Sequence, residues 1–334
     1  MLTPSDLIHI PYTPDLTESG IAYACRSMAY TRNGMGSLPL NRMRHLVAEA
    51  AAELSFRRHL DEQAVPFHVL GITPFTHPDR YDVALGGHRC DLNNYHITRR
   101  AQISLTRKEP HLFLQAPALV PVDQFSNDVH KPDDIYLFTF LLGLLAASHK
   151  DMDAAIAAGR PVHLMHPLPE DWVRPTGWIP LEKLALKSEC ESPVTVEIGG
   201  LDGERNFITE TLTLPPRTRI PARQAFHSVA YIHSRSKPEA RIGIHSPVRG
   251  EPYLIPSIEW GNIYIYGMDF WLTGWLTHED FRKKARVINA GQPTFQFTRT
   301  QVKNLAVPIS DLNPCAPLFR RVKVWEAEKA AAKQ

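Results

Sequence analysis

The chain lacks the sequence motifs of several common enzyme classes. Its cysteines contain no Cys-x-x-Cys pair, which argues against a structural zinc site. It has no Walker loop, no Gly-x-Gly-x-x-Gly and no Gly-x-Ser-x-Gly, so nucleotide hydrolysis, dinucleotide binding and serine-hydrolase chemistry have no support. The sixteen histidines form no His-Glu-x-x-His pattern and show no convincing ligand spacing. The four cysteines are scattered along the chain at Cys25, Cys90, Cys190 and Cys315.

Long apolar runs are also missing, and this bears on the location of the protein. Residues 138–147 are the most apolar segment, but they are too short to span a membrane and fit a buried core strand that runs into a helix start. Residues 1–6 lack the basic start and apolar run of a signal peptide. Scattered thiols suit a reducing compartment. We therefore expect a cytoplasmic protein with no membrane partner.

The charge of the chain is balanced, with 37 basic and 35 acidic residues and a net charge of +2. There is thus no global attraction to nucleic acid, and DNA binding would need local basic patches. The 334 residues with 43% apolar content suit a globular protein of two structural units or of one elaborated domain. The 28 prolines favour loops and short strands over long helices.

The pattern of elements divides the chain into four parts. Residues 1–38 are irregular, and residues 39–190 form the first part of an α/β core, with residues 148–190 interpreted as helix and loop. Residues 191–260 alternate like strands, with turns at the spacing of a sandwich, and predict a β-rich insertion. Residues 261–334 close the core and end in a tail rich in alanine and lysine.

Residues 79–95 carry the most informative pattern in the chain. Two alternating runs flank Gly86-Gly87, and a Gly-Gly pair in this setting predicts a β-hairpin because both positions tolerate positive φ. The pairing would bring Asp82, at the start of the first strand, close to Asp91 on the second. Two converging carboxylates repel each other unless a cation lies between them, and oxygen ligands suit Mg²⁺. The alternative is that Asp82 caps a turn and Asp91 faces solvent.

A helix is predicted just before this hairpin. Residues 39–63 place apolar side chains at helical spacing, and Glu49 and Glu53 lie one turn apart on it. Either glutamate can contribute to the same site or belong to a solvated helix face.

The helix and hairpin together resemble the PD-(D/E)XK nuclease superfamily, which has a restriction-endonuclease-like fold. The family pattern is a Glu on an N-terminal helix, an Asp opening a hairpin, and (Asp/Glu)-x-Lys on the second strand. By this resemblance Asp82 and Asp91 are the metal-binding acids, Glu53 is the better match to the helix acid, and the Leu92 carbonyl is a further ligand. Asn93 stands where the family has lysine. The implied fold is a mixed central sheet flanked by helices.

Weaker similarities continue downstream. Gln124 precedes the predicted core strand 135–140, as the Gln-bearing helix does in many such nucleases. Segments 274–281 and 308–314 are similar to the closing part of many restriction-type enzymes. The resemblance covers roughly residues 40–145 and 260–315. The family has moderately specific motifs, since it is defined by pattern and spacing more than by identity.

Asn93 departs from the family pattern in a way that affects the chemistry. An amide hydrogen-bonds but carries no charge and transfers no proton. Arg99 or Arg100 can supply a replacement charge, and this pair is also the basic group that we expect to contact DNA. Basic runs flank the predicted site on both sides, as a phosphate cradle requires. Taken singly, each run is equally a solvated face.

The resemblance implies a nuclease of restriction or defence type that cleaves DNA and depends on Mg²⁺ or Mn²⁺. The expected partner is double-stranded DNA. A homodimer or a complex with a partner protein is also compatible with the resemblance. The alternative is a catalytically silent nuclease-fold subunit that binds nucleic acid or another protein. A third hypothesis, a β-sandwich carbohydrate- or protein-binding module, depends on residues 190–260 alone.

Overall fold

The computed structural model of the chain describes residues 1–30, 39–69, 83–126, 131–175 and 179–331. The chain forms two compact units. The first unit comprises residues 1–16, 51–144 and 266–334. The second unit comprises residues 17–50 and 145–265.

The described residues contain eight α-helices and eighteen strands. The helices are α1 (Pro14–Met28), α2 (Pro39–Glu62), α3 (Arg100–Lys108), α4 (Val122–Ser126), α5 (His149–Ala157), α6 (Glu170–Val173), α7 (His278–Lys284) and α8 (Cys315–Ala331). The strands are β1 (Ile8–Ile10), β2 (Phe67–Val69), β3 (Val83–Leu85), β4 (His88–Ile97), β5 (Pro117–Pro121), β6 (Ile135–Leu145), β7 (Leu164–Pro167), β8 (Glu182–Ser188), β9 (Val194–Leu201), β10 (Phe207–Leu214), β11 (Arg219–Phe226), β12 (Ser228–Ser234), β13 (Ile242–His245), β14 (Tyr253–Ile255), β15 (Gly261–Asn262), β16 (Ile265–Thr277), β17 (Arg286–Ile288) and β18 (Asn304–Pro308).

A six-stranded mixed sheet in the order β1-β16-β6-β4-β3-β2 forms the centre of the first unit. Strands β2, β3 and β4 pair antiparallel, whereas β4 and β6 pair parallel. Parallel neighbours need a crossover connection, and the segment with α3, β5 and α4 provides it. The α/β class predicted from the sequence is therefore confirmed.

Strand β6 shows why this sheet is the core of the first unit. Its first nine residues are all buried, as expected of a central strand covered on both faces. Tyr136, Phe138 and Phe140 project to one face and pack with Phe113 and Phe281. A three-stranded sheet, β17-β18-β5, packs against the same cluster through its own apolar residues. The predicted strand 135–140 is thus confirmed and is longer than expected.

The second unit contains two antiparallel sheets, ordered β10-β9-β12-β7-β15 and β11-β8-β13-β14. Both contribute side chains to one apolar cluster, which includes Ile198 of β9, Ile232 of β12 and Leu184 of β8. Strands β7 and β8 lie within residues 148–190, a segment that the sequence predicts as helix and loop. The prolines around these strands hide their short alternating patterns.

Three further expectations concern the whole chain. The helix predicted over residues 39–63 is present as α2. All four cysteines are buried and none forms a disulfide, so they pack as small core residues. In the parts of the chain that the structure describes, no helix has the length and apolar character needed to cross a membrane.

Candidate active site

The predicted hairpin is present as β3 and β4, joined by Gly86 and Gly87. Their φ angles are +59° and +91°, the left-handed conformation that a two-residue hairpin turn needs and that glycine adopts without strain. The described pairing runs from Leu85 opposite His88 to Val83 opposite Cys90. Asp82, the first predicted metal-binding acid, lies outside the described residues.

Helix α8 packs against this turn. A Cβ atom on Gly86 would lie 2.3 Å from Cε3 of Trp325, so only glycine fits beneath the indole ring. The imidazole of His88 lies 4.7 Å from the Trp325 ring, and Nζ of Lys329 donates a hydrogen bond of 2.7 Å to the Gly86 carbonyl. The Arg321 guanidinium lies 4.8 Å from the same indole ring. The C-terminal helix therefore fixes the turn that leads into β4.

Strand β4 places the two predicted residues of its motif on one face of the sheet. Asp91 lies opposite Tyr136 in the parallel pairing, and Asn93 lies opposite Phe138. Side chains two residues apart share a face, so Asp91 and Asn93 point to the same side as Tyr95, a member of the first unit's core cluster. Asp91 is 7% exposed. The structure therefore holds a carboxyl group at the margin of an apolar core.

Asp91 and Asn93 differ in their hydrogen-bond partners. Gln124, on the short helix α4, donates from Nε2 to Oδ2 of Asp91 at 3.3 Å. Nδ2 of Asn93 is buried and has no hydrogen-bond partner among the described residues. Buried polar groups are rarely left without a partner, so this amide marks a position suited to an external acceptor. Leu92, the predicted carbonyl ligand, lies between them and pairs with Leu137.

The two helix glutamates are both engaged in ion pairs along α2. Glu53 pairs with Arg57, one turn further along the helix. Glu49 lies 3.0 Å from Nε2 of His45, and this hydrogen bond raises the pKa of that histidine. Among the residues that the structure describes, no hydrogen bond joins Glu53 to Asp91. The placement of the helix acid therefore stays a prediction.

Arg99 and Arg100 lie beyond the opposite end of β4 from Asp91. Eight residues of extended chain span about 25 Å, so neither arginine can replace the missing lysine charge at Asp91. Nη2 of Arg99 donates to the Phe295 carbonyl at 3.0 Å, and Arg100 is exposed at the start of α3. Arg89, which precedes Asp91 by two residues on the same face, is the better source of charge. The alternation of β4 in the sequence already places Arg89 and Asp91 on one face.

A second polar cluster, which the sequence did not predict, lies in the second unit. Nε2 of His163 lies 3.0 Å from Glu18, and its Nδ1 lies 3.1 Å from Nε2 of His233. Glu18 also accepts a hydrogen bond of 3.0 Å from Arg235, and Glu197 lies 4.0 Å from the other nitrogen of His233. Most members of this cluster lie far apart in the sequence, so no local sequence pattern indicates it.

Burial controls the protonation of the two histidines. Loss of solvent lowers the pKa of His163, against the opposing effect of Glu18. It lowers the pKa of His233 to about 3, with further contributions from the nearby His163 and Arg235. Both imidazoles are therefore neutral at pH 7, which suits a buried hydrogen-bonded chain.

The candidate site meets some of the requirements of a divalent cation. The Asp91 carboxylate has the oxygen chemistry that Mg²⁺ and Mn²⁺ prefer, and the Asn93 amide suits a bound water or phosphate oxygen. Within the described residues, no group of three His, Cys, Asp or Glu side chains is arranged to hold a metal ion. No family model, curated protein or solved structure matches the chain.

Proposed function

We propose that the first unit is a metal-dependent nuclease with a restriction-endonuclease-like core that hydrolyses phosphodiester bonds of DNA. The observation that carries the proposal is the buried Asp91 on the second strand of a Gly-Gly hairpin, where its carboxylate accepts a hydrogen bond from Gln124. On the same face follows the Asn93 amide nitrogen, which has no hydrogen-bond partner among the described residues. A role in defence against foreign DNA follows from the family resemblance.

The topology of the first unit supports this proposal. Helix α2 precedes the hairpin, the acid lies on the second hairpin strand, and the chain then crosses over to the parallel strand β6. The family resemblance implies this order of helix, hairpin and core strand. The short Gln-bearing helix also lies just before the next core strand, where the resemblance places it.

Each residue of the proposed site has a distinct role. Asp91 supplies carboxylate oxygens, with Asp82 and Glu53 as the other proposed acids. A bound Mg²⁺ or Mn²⁺ would lower the pKa of a water ligand and stabilise the leaving oxygen. Gln124 fixes the orientation of the Asp91 carboxylate through its hydrogen bond. Asn93 donates a hydrogen bond that orients the attacking water or a phosphate oxygen.

Charge balance at the site falls to Arg89. The family lysine supplies a positive charge two residues after the acid, whereas Arg89 lies two residues before it on the same face of β4. A guanidinium cannot deliver a proton, because it stays protonated at all accessible pH values. Arg89 therefore stabilises the charge on the phosphate and leaves water activation to the metal.

Asn93 favours a second candidate function, a silent nuclease-fold subunit that binds nucleic acid or a partner protein. A neutral amide cannot reproduce the charge or the proton transfer of the family lysine. This subunit would retain the metal-binding acids and the basic surfaces but would not cut DNA.

The test is cleavage of plasmid and single-stranded DNA in Mg²⁺ or Mn²⁺ by the wild type and by Asp91→Ala. Asp123→Ala, which removes an acid on the same helix as Gln124, is the matched control. Cleavage that is lost in Asp91→Ala and kept in the control supports the nuclease. Cleavage by Asn93→Lys alone supports the silent subunit, and equal cleavage by the wild type and Asp91→Ala rejects the site.

A further inference from the structure

Two segments of the first unit contain basic residues and no acidic ones. Residues 281–310 contain six basic residues, and residues 99–108 contain four. The chain as a whole is nearly balanced at 37 basic and 35 acidic residues, so both segments are more basic than the chain average. A surface without acidic residues favours a polyanion over a protein partner of mixed charge.

Strands β17 and β18 and the loop between them form an antiparallel arm of the longer segment, which we call the basic ribbon (residues 286–308); it carries three of the six basic residues, and the other three lie on α7. Strands β17 and β18 pair antiparallel at its base. The connecting residues continue this pairing, since Gly291 N–H donates to the Thr300 carbonyl at 2.7 Å and Thr300 N–H donates to the Gln292 carbonyl at 2.9 Å. Near the tip, Thr294 N–H donates to the Phe297 carbonyl at 2.9 Å. Backbone hydrogen bonds therefore cross the ribbon at its base, in its middle and near its tip.

One residue fixes the basic ribbon to the second acid-free segment. The Phe295 ring packs in the core, with its centroid 6.1 Å from that of Phe113 and 6.0 Å from that of Phe140. Its carbonyl accepts hydrogen bonds from Gln102 at 2.7 Å and from Arg99 at 3.0 Å. The Phe295 contacts therefore join the two acid-free segments, and Arg107 of the shorter segment pairs with Asp269 on β16.

The outward side chains of the basic ribbon combine positive charge with apolar area. Arg286, Arg299 and Lys303 are exposed, and none has an ion-pair partner in the described parts of the chain. Phe297 is 41% exposed near the tip, and Val302 is 46% exposed. An exposed phenylalanine beside unpaired cations is suited to contact a groove while the cations bind the phosphates on either side.

The base of the ribbon lies beside the proposed active site. Val122 N–H, at the start of α4, donates to the Lys303 carbonyl at 3.0 Å. Gln124, two residues further along α4, contacts Asp91. A duplex held on the ribbon would thus have part of its backbone near the buried carboxyl group.

We propose that the basic ribbon binds duplex DNA, with Arg286 and Arg299 contacting phosphates and Phe297 entering a groove. The major groove of B-DNA admits a two-stranded β-ribbon. This inference rests on the proposed nuclease function and assigns the surface that holds its substrate. The sequence predicted that Arg99 and Arg100 contact DNA, and the present inference adds a second DNA-contacting element, the basic ribbon.

The test measures equilibrium binding of a fluorescently labelled mixed-sequence duplex by the full chain with Asp91→Ala, so that binding is followed without cutting. At about 0.1 M salt each lost phosphate contact weakens binding roughly eightfold and lowers the slope of log K against log salt by about one. We expect this of Arg286→Gln and of Arg299→Gln. Phe297→Ala should weaken binding with an unchanged slope. Arg219→Gln, an exposed arginine on β11 of the second unit, should change neither.

Three results would overturn the inference. These are no duplex binding by the parent chain, equal binding by the parent and the ribbon variants, or ribbon variants that alter only self-association in sedimentation. The last result would assign the ribbon to a contact between copies. If the ribbon variants weaken duplex binding but the wild type does not cleave DNA, the ribbon proposal holds and the nuclease proposal fails. If the wild type cleaves DNA but the ribbon variants bind the duplex as the parent does, the nuclease proposal holds and the ribbon proposal fails.

Discussion

The turn between β3 and β4 gives a sharp test of how the candidate site is held. Gly86→Ala introduces two separate costs. An L-residue in the left-handed conformation is strained by about 1–2 kcal/mol. Its Cβ would also lie 2.3 Å from Cε3 of Trp325, and overpacking of this kind costs about 1–3 kcal/mol. We therefore expect a loss of about 2–5 kcal/mol in the free energy of unfolding.

A second glycine separates the two costs. Gly159 has a φ of +65°, and a Cβ atom there meets nothing within 4 Å. Gly159→Ala should therefore show the strain alone, about 1–2 kcal/mol. Trp325→Ala supplies the complementary control, since it removes the indole that opposes the new methyl group. Combined with Gly86→Ala in a double-mutant cycle, it should recover the overpacking cost as a coupling energy of about 1–3 kcal/mol.

The assay is urea unfolding followed by far-UV circular dichroism for the four variants and the wild type. Equal losses for Gly86→Ala and Gly159→Ala would refute the contact with Trp325. So would strict additivity in the double-mutant cycle. In either case helix α8 would not fix the turn, and the account of how β4 is positioned would lose its main support.

Other predictions concern buried polar groups. Tyr95→Phe removes a hydroxyl that donates to the Leu119 carbonyl at 2.7 Å and accepts from the Leu119 N–H, so urea unfolding should show a loss of about 1–3 kcal/mol. Burial lowers the folded-state pKa values of His163 and His233, so the unfolded chain binds more protons in acid, and stability should fall as pH drops below about 6.5, by about 1.4 kcal/mol per pH unit for each histidine. For His233 this loss should continue towards pH about 3, and a pH-independent unfolding free energy would contradict it. The Glu210 carboxylate accepts hydrogen bonds from two backbone N–H groups on β11, so Glu210→Gln should lower the free energy of unfolding in urea by about 1 kcal/mol. An unchanged free energy of unfolding would contradict a stabilising role for these bonds.

Local sequence signals predicted the elements that frame the site. Gly86-Gly87 between alternating runs predicted the hairpin, because few residues other than glycine adopt both turn conformations. The helical spacing of apolar residues predicted α2, and the apolar segment 138–147 predicted a buried strand. These features depend on neighbours in sequence, which is why one sequence suffices for them.

Features that depend on tertiary pairing were out of reach. The Asp91–Gln124 contact joins residues 33 positions apart, and only the family resemblance pointed to Gln124. The contact between His163 and His233 depends on the pairing of β12 with β7, and neither histidine has a local partner that reveals it. The replacement charge assigned to Arg99 failed because the length of β4 separates this arginine from Asp91. The length of a strand therefore sets which residues can share a site, and closeness in sequence alone does not show this.

The central claim is that Asp91 belongs to a divalent-cation site, and both candidate functions require it. The direct measurement is Mn²⁺ titration followed by electron paramagnetic resonance, applied to the wild type, Asp91→Ala and Asp123→Ala. We predict a binding site in the wild type that is lost in Asp91→Ala and kept in Asp123→Ala. Equal Mn²⁺ binding by the wild type and Asp91→Ala, or none by the wild type, would contradict the account.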